Sequence, residues 1–587
     1  MSFYPTLRPK KRIVICCDGT WQSSAHGHHN VPSNVAKISR SIGNWYIDEN
    51  ELTAPQIVYY DAGVGTGMGW LDQKWAGGFG EGLDENVCEA YNFIVNNYTP
   101  GDELFFFGFS RGAYTVRACA GLVCRAGICT PSAMAQFWEM YANYKSCDPT
   151  KPMDESLWGQ EWTGKPEQYT IKVKDHDKQF SKGAGFDWLS KAEKNVTIKV
   201  VGVWDTVGSL GYPDNMWVDV SARNKPYGFH NTNIHRQIEN AFHALALEEH
   251  RQPFSPTLWS LPPGSKTNLI QCWFPGVHIN VGGGSGDGLK PDSKGDLEVM
   301  SITTFFWMVD RCYPFLRFQV DPNIVSDYQN ALNKLTEKSL KAKDAKGQAY
   351  GGWGIGPVVD SYAEEAYNKV IGSATRTPGH YFLNKVDDNP EHKDDPEHKN
   401  NLEHKDKPEH KDSHEHTHQQ TNEYMHPVVH HAWEKSQDMP KALEGFTRTS
   451  RGPGKGNDWI KIYEPAQPGI IKRGWSYIRG TAAPSKSEQD LVSIPEFVIP
   501  AEGYSDKTNR YWQPWERKLV QHSLARVQGF IDQTERETRA DLKNDVEGAR
   551  FLAKLDEENK DVKELHLWKE SEVTSSNPKY QLPDSGW

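Results

Sequence analysis

The run Leu104-Phe105-Phe106-Phe107-Gly108-Phe109-Ser110-Arg111-Gly112-Ala113-Tyr114 leaves this chain few folds to choose from. Apolar residues of strand type stop at Gly-x-Ser-x-Gly, and small and apolar residues of helical character continue to Val123. A strand that reverses straight into a helix around a serine is the setting of a nucleophile elbow. So sharp a turn has no room for side chains at its flanks, and Gly108 and Gly112 stand there. Ser110 would then sit at the start of a helix, where free amides and the positive end of the dipole face a developing oxyanion. The pentapeptide arises often by chance, so an ordinary strand–turn–helix with a small residue at its bend is the plain alternative.

The flanking stretches repeat the alternation. Arg12 to Cys17 reads as a buried strand that ends in Asp18-Gly19-Thr20. Ser33 can cap a helix from Asn34 to about Ile42. Gln56 to Tyr60 is a second strand, closed by the glycine loop Asp61-Ala62-Gly63-Val64-Gly65-Thr66-Gly67-Met68-Gly69. That loop lacks the Lys-Ser/Thr ending of a P-loop and the dinucleotide spacing, so it reads as the rim of a site. A helix from about Gly82 to Asn97 leads to the elbow strand, and Val196 to Trp204 and Asn268 to Phe274 are further strands. A helix is expected near Ile234 to Glu249. Strand and helix in alternation mean a mostly parallel sheet covered on both faces. The fold class expected is α/β of α/β-hydrolase type, with a cap-like, irregular insertion at about 130–195 and a helical C-terminal extension. Sites in such sheets lie beyond the carboxyl ends of the strands.

Serine chemistry needs a base to take the hydroxyl proton and a carboxylate to orient the base. In the α/β-hydrolase order these follow the serine as acid, then histidine. Asp205 and His278 come in that order, each just past a strand, so Ser110, Asp205 and His278 are the catalytic candidates. Either of the last two, taken alone, reads as a turn residue or a structural histidine. The oxyanion hole is expected from the Arg111 amide and from the loop two strands back, Gly19 and Thr20. Asp18 must then lie near the oxyanion without opposing it. Asp-Gly-Thr after a first strand also belongs to haloacid-dehalogenase phosphatases, but Cys16 stands where their nucleophilic aspartate would.

The ordered blocks resemble a known family. They are Cys17-Asp18-Gly19-Thr20-Trp21, Tyr60 to Thr66, Gly108 to Tyr114, Val203-Trp204-Asp205-Thr206-Val207-Gly208, Arg251 to Trp259, and Gly276-Val277-His278 to Gly284. Together they resemble an uncharacterised α/β-hydrolase family found widely in fungi, itself similar to the catalytic domain of type VI secretion phospholipase effectors. The likeness covers roughly Arg12 to Met308, with a weaker echo from Gly352 to Tyr381. It implies a triad at Ser110, Asp205 and His278, and an ester or lipid substrate. Relatives carry Ser-Asp after the histidine, where this chain has Ile279-Asn280.

Composition narrows the partners. Among 587 residues, 66 are basic and 77 acidic, a net charge of −11. That disfavours nucleic acid, whose phosphates need Lys and Arg, and leaves membrane contact at most peripheral. The nine cysteines have no metal-ligand spacing and read as reduced, mostly buried thiols of a cytoplasmic protein. Adjacent Cys16 and Cys17 should point to opposite faces of their strand. His26, His28 and His29 lack an acidic or cysteine partner, so no metal and no cofactor is expected. The length implies more than one unit. We divide it into a hydrolase domain over 1–385, a disordered Glu-His-Lys repeat over 386–420, an irregular continuation over 421–510 that packs on the hydrolase, and a charged helical extension over 511–587. Leu542, Val546, Ala549, Leu552 and Leu555 form a stripe there that suits packing on the hydrolase or on a protein partner. His426, His430 and His431 are read as structural. The function expected is a serine hydrolase of carboxylic esters, with a phospholipase or lipase among its forms. The tryptophans of 70–75 and 158–162 suit either an acyl groove or the core. The alternative is a catalytically silent scaffold of the same fold.

Overall fold

The structure is a computed structural model. It describes residues 8–19, 32–48, 50–63, 81–148, 151–173, 176–207, 234–284, 298–319, 353–354, 356, 358, 373–379, 381, 421–436, 439–451, 457–463, 490–497, 499, 516 and 519. In chain order the first elements are β1 (Arg12–Cys17), α1 (Asn34–Ser41), β2 (Trp45–Ile47), β3 (Thr53–Asp61), α2 (Glu81–Asn97), β4 (Glu103–Phe109) and α3 (Ser110–Ala126). Then come α4 (Phe137–Ser146), β5 (Gln168–Val173), β6 (His176–Ser181), α5 (Phe186–Lys191), β7 (Thr197–Trp204), β8 (Ile238–Ala246), β9 (Asn268–Phe274), α6 (His278–Gly282) and α7 (Glu298–Cys312). The last are β10 (Glu423–Met425), α8 (Pro427–Ser436), β11 (Thr447–Ser450), β12 (Asn457–Tyr463) and β13 (Asp490–Pro495).

Side chains of a strand alternate faces, so a run apolar at every position must be covered on both. β1 and β4 are such runs. Ile13, Ile15, Cys17, Leu104 and Phe106 pack with Val87, Tyr91 and Ile94 of α2 and Val116 and Cys119 of α3. Val14, Cys16, Phe105, Phe107 and Phe109 pack on the other face with Val35 and Ile38 of α1 and Val299 to Val309 of α7. Cys16 and Cys17 thus point to opposite faces, as expected, and all nine thiols are free. Phe105, Phe106 and Phe107 are fully buried, a transfer worth about 1.5–3 kcal/mol each.

The result is a mixed α/β architecture around an eight-stranded sheet ordered β10-β9-β8-β7-β4-β1-β3-β2. Its pairings are parallel except at the β2 edge. From β1 the chain moves outward to β3, then returns across β1 to β4 and continues to β7 on the far side. The strand order therefore reverses between β1 and β4, where open α/β sheets leave a crevice at their carboxyl ends. Ser33 caps α1 as expected, accepting from the Ala36 amide.

Three expectations need correction, one of them the irregular continuation expected over 421–510, where β10, α8, β11, β12 and β13 are found. The stretch 234–249 is the strand β8, not a helix. Its Ala, Leu and Glu residues favour a helix in isolation, but it fills the slot between β7 and β9, buried at Asn240 to Ala246. Pairing on both edges overrides propensity there. The stretch 130–195 is not irregular: it carries α4, the β5–β6 hairpin and α5. Phe137, Met140, Trp158 and Trp188 bury it against the α2–α3 layer, so Trp158 is core and not groove.

Beyond residue 420, β10 adds to β9 in parallel, and β11, β12 and β13 form a separate antiparallel sheet. Leu245 and Trp273 of the main sheet pack against Trp459, Val492 and Ile494 of the small one. His426 is buried, stacked on Phe274 with ring centroids 4.4 Å apart, and its Nε2 lies 2.9 Å from Glu516 Oε1. Among the described residues no helix is long and apolar enough to cross a membrane. Thr20, the loop histidines 26, 28 and 29, the glycine loop past Gly63, the tryptophans of 70–75, Gly208, the 386–420 repeat and the 542–555 stripe lie outside the described residues.

Candidate active site

Ser110 leaves β4 with φ +57°, a left-handed conformation that costs a non-glycine residue about 1–3 kcal/mol. Its neighbours explain why the chain tolerates this. A Cβ on Gly108 would stand 2.6 Å from the Ala113 Cα, and one on Gly112 only 2.1 Å from the Cys17 carbonyl oxygen. Glycine at both positions lets the first turn of α3 press onto β4 and the end of β1. Amides in a first helical turn have no partner within their helix, which leaves the Arg111 N–H available as a donor. Ser110 itself is buried at the rim, 8% exposed.

Phe109 pairs with Trp204 across β4 and β7. Ser110 and Asp205 are therefore the next residues of adjacent strands, which run about 4.8 Å apart. Asp205 also turns with positive φ, +39°. Its amide donates to the Ala244 carbonyl and its Oδ1 accepts from the Ala246 amide, so β8 holds the turn from both sides. His278 opens α6 past β9, and its Nδ1 lies 2.6 Å from Asp205 Oδ2. The imidazole is wedged between Phe109, with centroids 4.6 Å apart, and Phe254, edge-on at 4.9 Å. Gly282 makes the wedge possible, since a Cβ there would fall 2.0 Å from the Phe109 ring. The structure thus joins Asp205 to His278 directly. It sets Ser110 one residue from the ring that stacks on the imidazole.

Asp205 is fully buried. Burial would raise its pKa, yet the Arg376 guanidinium and the His278 hydrogen bond hold the carboxyl well below the usual carboxylate range. Arg376 donates from Nη1 to Oδ1 at 2.6 Å and from Nη2 to Oδ2 at 2.9 Å. An ionised Asp205 accepts only, so the proton of the 2.6 Å contact sits on Nδ1, and Nε2 is the ring nitrogen not engaged by Asp205.

Three further side chains brace this arrangement. Burial, with Arg117 nearby, lowers the pKa of His243 to about 3. Neutral at that depth, it accepts the Thr206 amide on Nε2, and its Nδ1 faces Gln271 Oε1. Burial would raise Glu249, but Arg251 lowers it below the usual range, and its Oε2 accepts the His278 amide at 3.2 Å. Asn280 Oδ1 accepts the Val277 amide at 3.0 Å. The turn bearing the histidine thus has a side-chain acceptor in Asn280.

The β1 loop differs from the sequence reading. The Gly19 amide donates to Asp18 Oδ1 at 2.8 Å, so it is not a free oxyanion donor in this structure. The cause is the burial of Asp18, whose charge must be met locally. Its Oδ2 accepts from Ser33 Oγ at 2.5 Å and from Tyr60 Oη at 2.8 Å. Asp18 therefore braces the loop. Burial still outweighs these bonds and pushes its pKa up to about 6.

Sequence reasoning missed Arg376, Glu249 and His243. The Arg251 to Trp259 block carried a partial signal, because Arg251 holds Glu249 and Phe254 flanks His278. Among the described residues, no group of three or more His, Cys, Asp or Glu side chains stands where it could hold a metal ion.

Residues 11–311 match the family model of the T6SS phospholipase effector Tle1-like catalytic domain. The uncharacterized protein YEL023C of Saccharomyces cerevisiae is 25% identical over 279 residues, which cover 43% of this chain and 34% of that protein. Two solved structures are also similar. The Tle1 effector bound to the VgrG spike of the Type 6 secretion system is 19% identical, with 47% of this chain and 51% of that one covered and a TM-score of 0.25. An uncharacterized protein from Pseudomonas aeruginosa is 16% identical, with 54% and 48% covered and a TM-score of 0.27. The chain thus spans about a third of the yeast relative's length and about half of each solved chain.

Proposed function

Because this chain belongs to the family of T6SS phospholipase effector Tle1-like catalytic domains, we propose that it is a serine hydrolase of carboxylic esters, with the acyl bond of a phospholipid as its substrate. The observation that carries this reading is the 2.6 Å contact of Asp205 with His278, on the same sheet rim as a serine held at φ +57°. In this reading the sheet is of α/β-hydrolase type, and residues 1–385 form the hydrolase unit on which 421–510 packs.

Ser110 Oγ attacks the acyl carbonyl carbon while His278 Nε2 takes its proton. Asp205 holds the ring through Nδ1 and balances the charge that develops on it. The oxyanion is met by the Arg111 amide and the start of α3. Gly19 joins only to the degree that its N–H is shared with Asp18. Collapse of the tetrahedral intermediate expels the alcohol, which receives the proton from Nε2. Water, deprotonated by the same nitrogen, then releases the fatty acid and restores Ser110.

The test is turnover of phospholipid vesicles and of short-chain esters by the purified chain beside Ser110→Ala, with fluorophosphonate labelling in parallel. A loss of about 10⁴-fold or more in the variant is expected, with an adduct at Ser110 in the wild type alone. Equal turnover by the two chains would remove the mechanism. Neither turnover nor adduct in the wild type would favour a silent scaffold.

A further inference from the structure

We propose that Arg376 is a positioning residue of this site: it fixes the carboxylate of Asp205 and sets the field in which His278 works. The inference rests on the reading of Asp205 and His278 as orienting acid and base. Arg376 lies well past the 11–311 region that matches the family. It arrives on a strap anchored at both ends. Ser373 bridges to Arg251 and the Ala374 amide donates to the His250 carbonyl. At the other end the Gly379 amide donates to Glu423 Oε2 at 2.7 Å.

The guanidinium does two jobs with one plane. Its two terminal nitrogens grip both oxygens of Asp205, the bidentate match for which Arg is suited and Lys is not. The same nitrogens donate to the Ala246 carbonyl at 2.5 Å and to the Phe254 carbonyl at 2.8 Å. Phe254 is the residue whose ring flanks the imidazole edge-on. One cation therefore ties together the acid, the β8 strand beside it and one wall of the histidine's slot. Nε is left buried without a hydrogen-bond partner. The group is thus held for what its terminal nitrogens do, at the cost of an unmet donor.

A permanent cation bonded to the orienting acid has a chemical consequence. It cancels part of the negative field that would otherwise stabilise the imidazolium, and it keeps Asp205 ionised far below neutrality. Among the described residues, the other charged or titratable groups around the pair are few. Glu248 and Glu249 lie past β8, where they accept the Gly276 and His278 amides, and Arg251 neutralises Glu249. His243, with Arg117 acting on it, backs Thr206, and Tyr381 lies beside Arg376. None of these donates to Asp205, so its charge balance depends on Arg376 and His278.

The test is the pH profile of kcat/KM for wild type, Arg376→Gln and Arg376→Lys on an ester that the wild type turns over. Loss of the cation in Arg376→Gln should move the acid limb upward by about one pH unit, with kcat falling more than KM rises. Arg376→Lys restores the charge without the fork. It should return the limb to its wild-type position at a rate about tenfold below wild type or lower. A merely structural role would reduce the folded, probe-titratable fraction and leave the limb in place. A folded Arg376→Gln chain with an unmoved limb would overturn the proposal, as would full rate in Arg376→Lys. A second readout needs no turnover: the far-downfield proton resonance of the His278–Asp205 hydrogen bond should shift in both variants. An unchanged resonance would overturn the Arg376 role even if the wild type proves inactive, whereas inactivity alone would count only against the hydrolase reading.

Discussion

Replacing Gly112 by alanine should cripple the elbow, against the usual rule for a glycine inside a helix. At an ordinary helical site, Gly→Ala stabilises by up to about 1 kcal/mol. Here the new methyl would sit 2.1 Å from the Cys17 carbonyl oxygen and 2.4 Å from that of Asp18, where real contacts begin near 3.0 Å. The first turn of α3 must therefore retreat from β1 by about 0.9 Å, the difference of those two distances. Neither side can yield cheaply, because the obstructing atoms are backbone and the strand is paired on both edges. Overpacking of this kind costs about 1–3 kcal/mol, so the net change should be destabilising by up to about 2 kcal/mol after the full propensity gain. Since the retreat carries Ser110 with it, a displacement near 1 Å should lower kcat/KM by about 10²-fold. Urea unfolding of Gly112→Ala beside wild type, with ester turnover on the same samples, reads both effects. A variant as stable and as active as wild type would show that the close approach of α3 to β1 does not shape the elbow.

Ser33→Ala should destabilise by about 2–4 kcal/mol in urea unfolding, because one hydroxyl both caps α1 and donates to the buried Asp18 carboxylate. Asp18 should also leave a mark on stability against pH. Its folded pKa is raised to about 6 from an ordinary 3.8, so the group favours the fold most below pH 4 and that contribution is lost as pH rises to about 6. Unfolding free energies of wild type and Asp18→Asn between pH 4 and 7 should diverge over this window by about 2–3 kcal/mol, and parallel curves would contradict the assignment. Asp205 runs the other way: its carboxyl is depressed, so its stabilisation holds above the unfolded value and fades as pH falls below about 4. Asp205→Asn should accordingly flatten the acid side of the same curve.

What the sequence discloses here follows from how local each signal is. β1, β4 and β9 are runs of apolar residues that only a doubly covered sheet can bury, and their bounds fall where the runs end. The elbow is legible because its two glycines and its serine lie within five positions. Asp205 is legible as the residue that immediately follows β7, and His278 as one in the short turn beyond β9. β8 is not, because its three alanines, with Glu239 and Leu245, carry a helical preference that only pairing with β7 and β9 overrules. Arg376 is invisible for another reason. Its partner lies 171 positions away, and nothing in Ser373-Ala374-Thr375-Arg376-Thr377-Pro378-Gly379 distinguishes it from a surface arginine. Gly19 shows the limit of counting strands, since the count cannot see that its amide hydrogen is spent on Asp18.

The placement of β10 also bears on how the molecule is made. β9 emerges from the ribosome about 150 residues before the segment that completes its hydrogen bonding, roughly 7–30 s of synthesis at ordinary rates. Throughout that interval the Gln271–Trp273 edge offers unpaired amides and carbonyls beside a large indole, the type of template on which nascent chains join one another. A chaperone that binds apolar strands should therefore matter most to this protein during that window, and cutting translation speed should raise its aggregated fraction while sparing the finished fold.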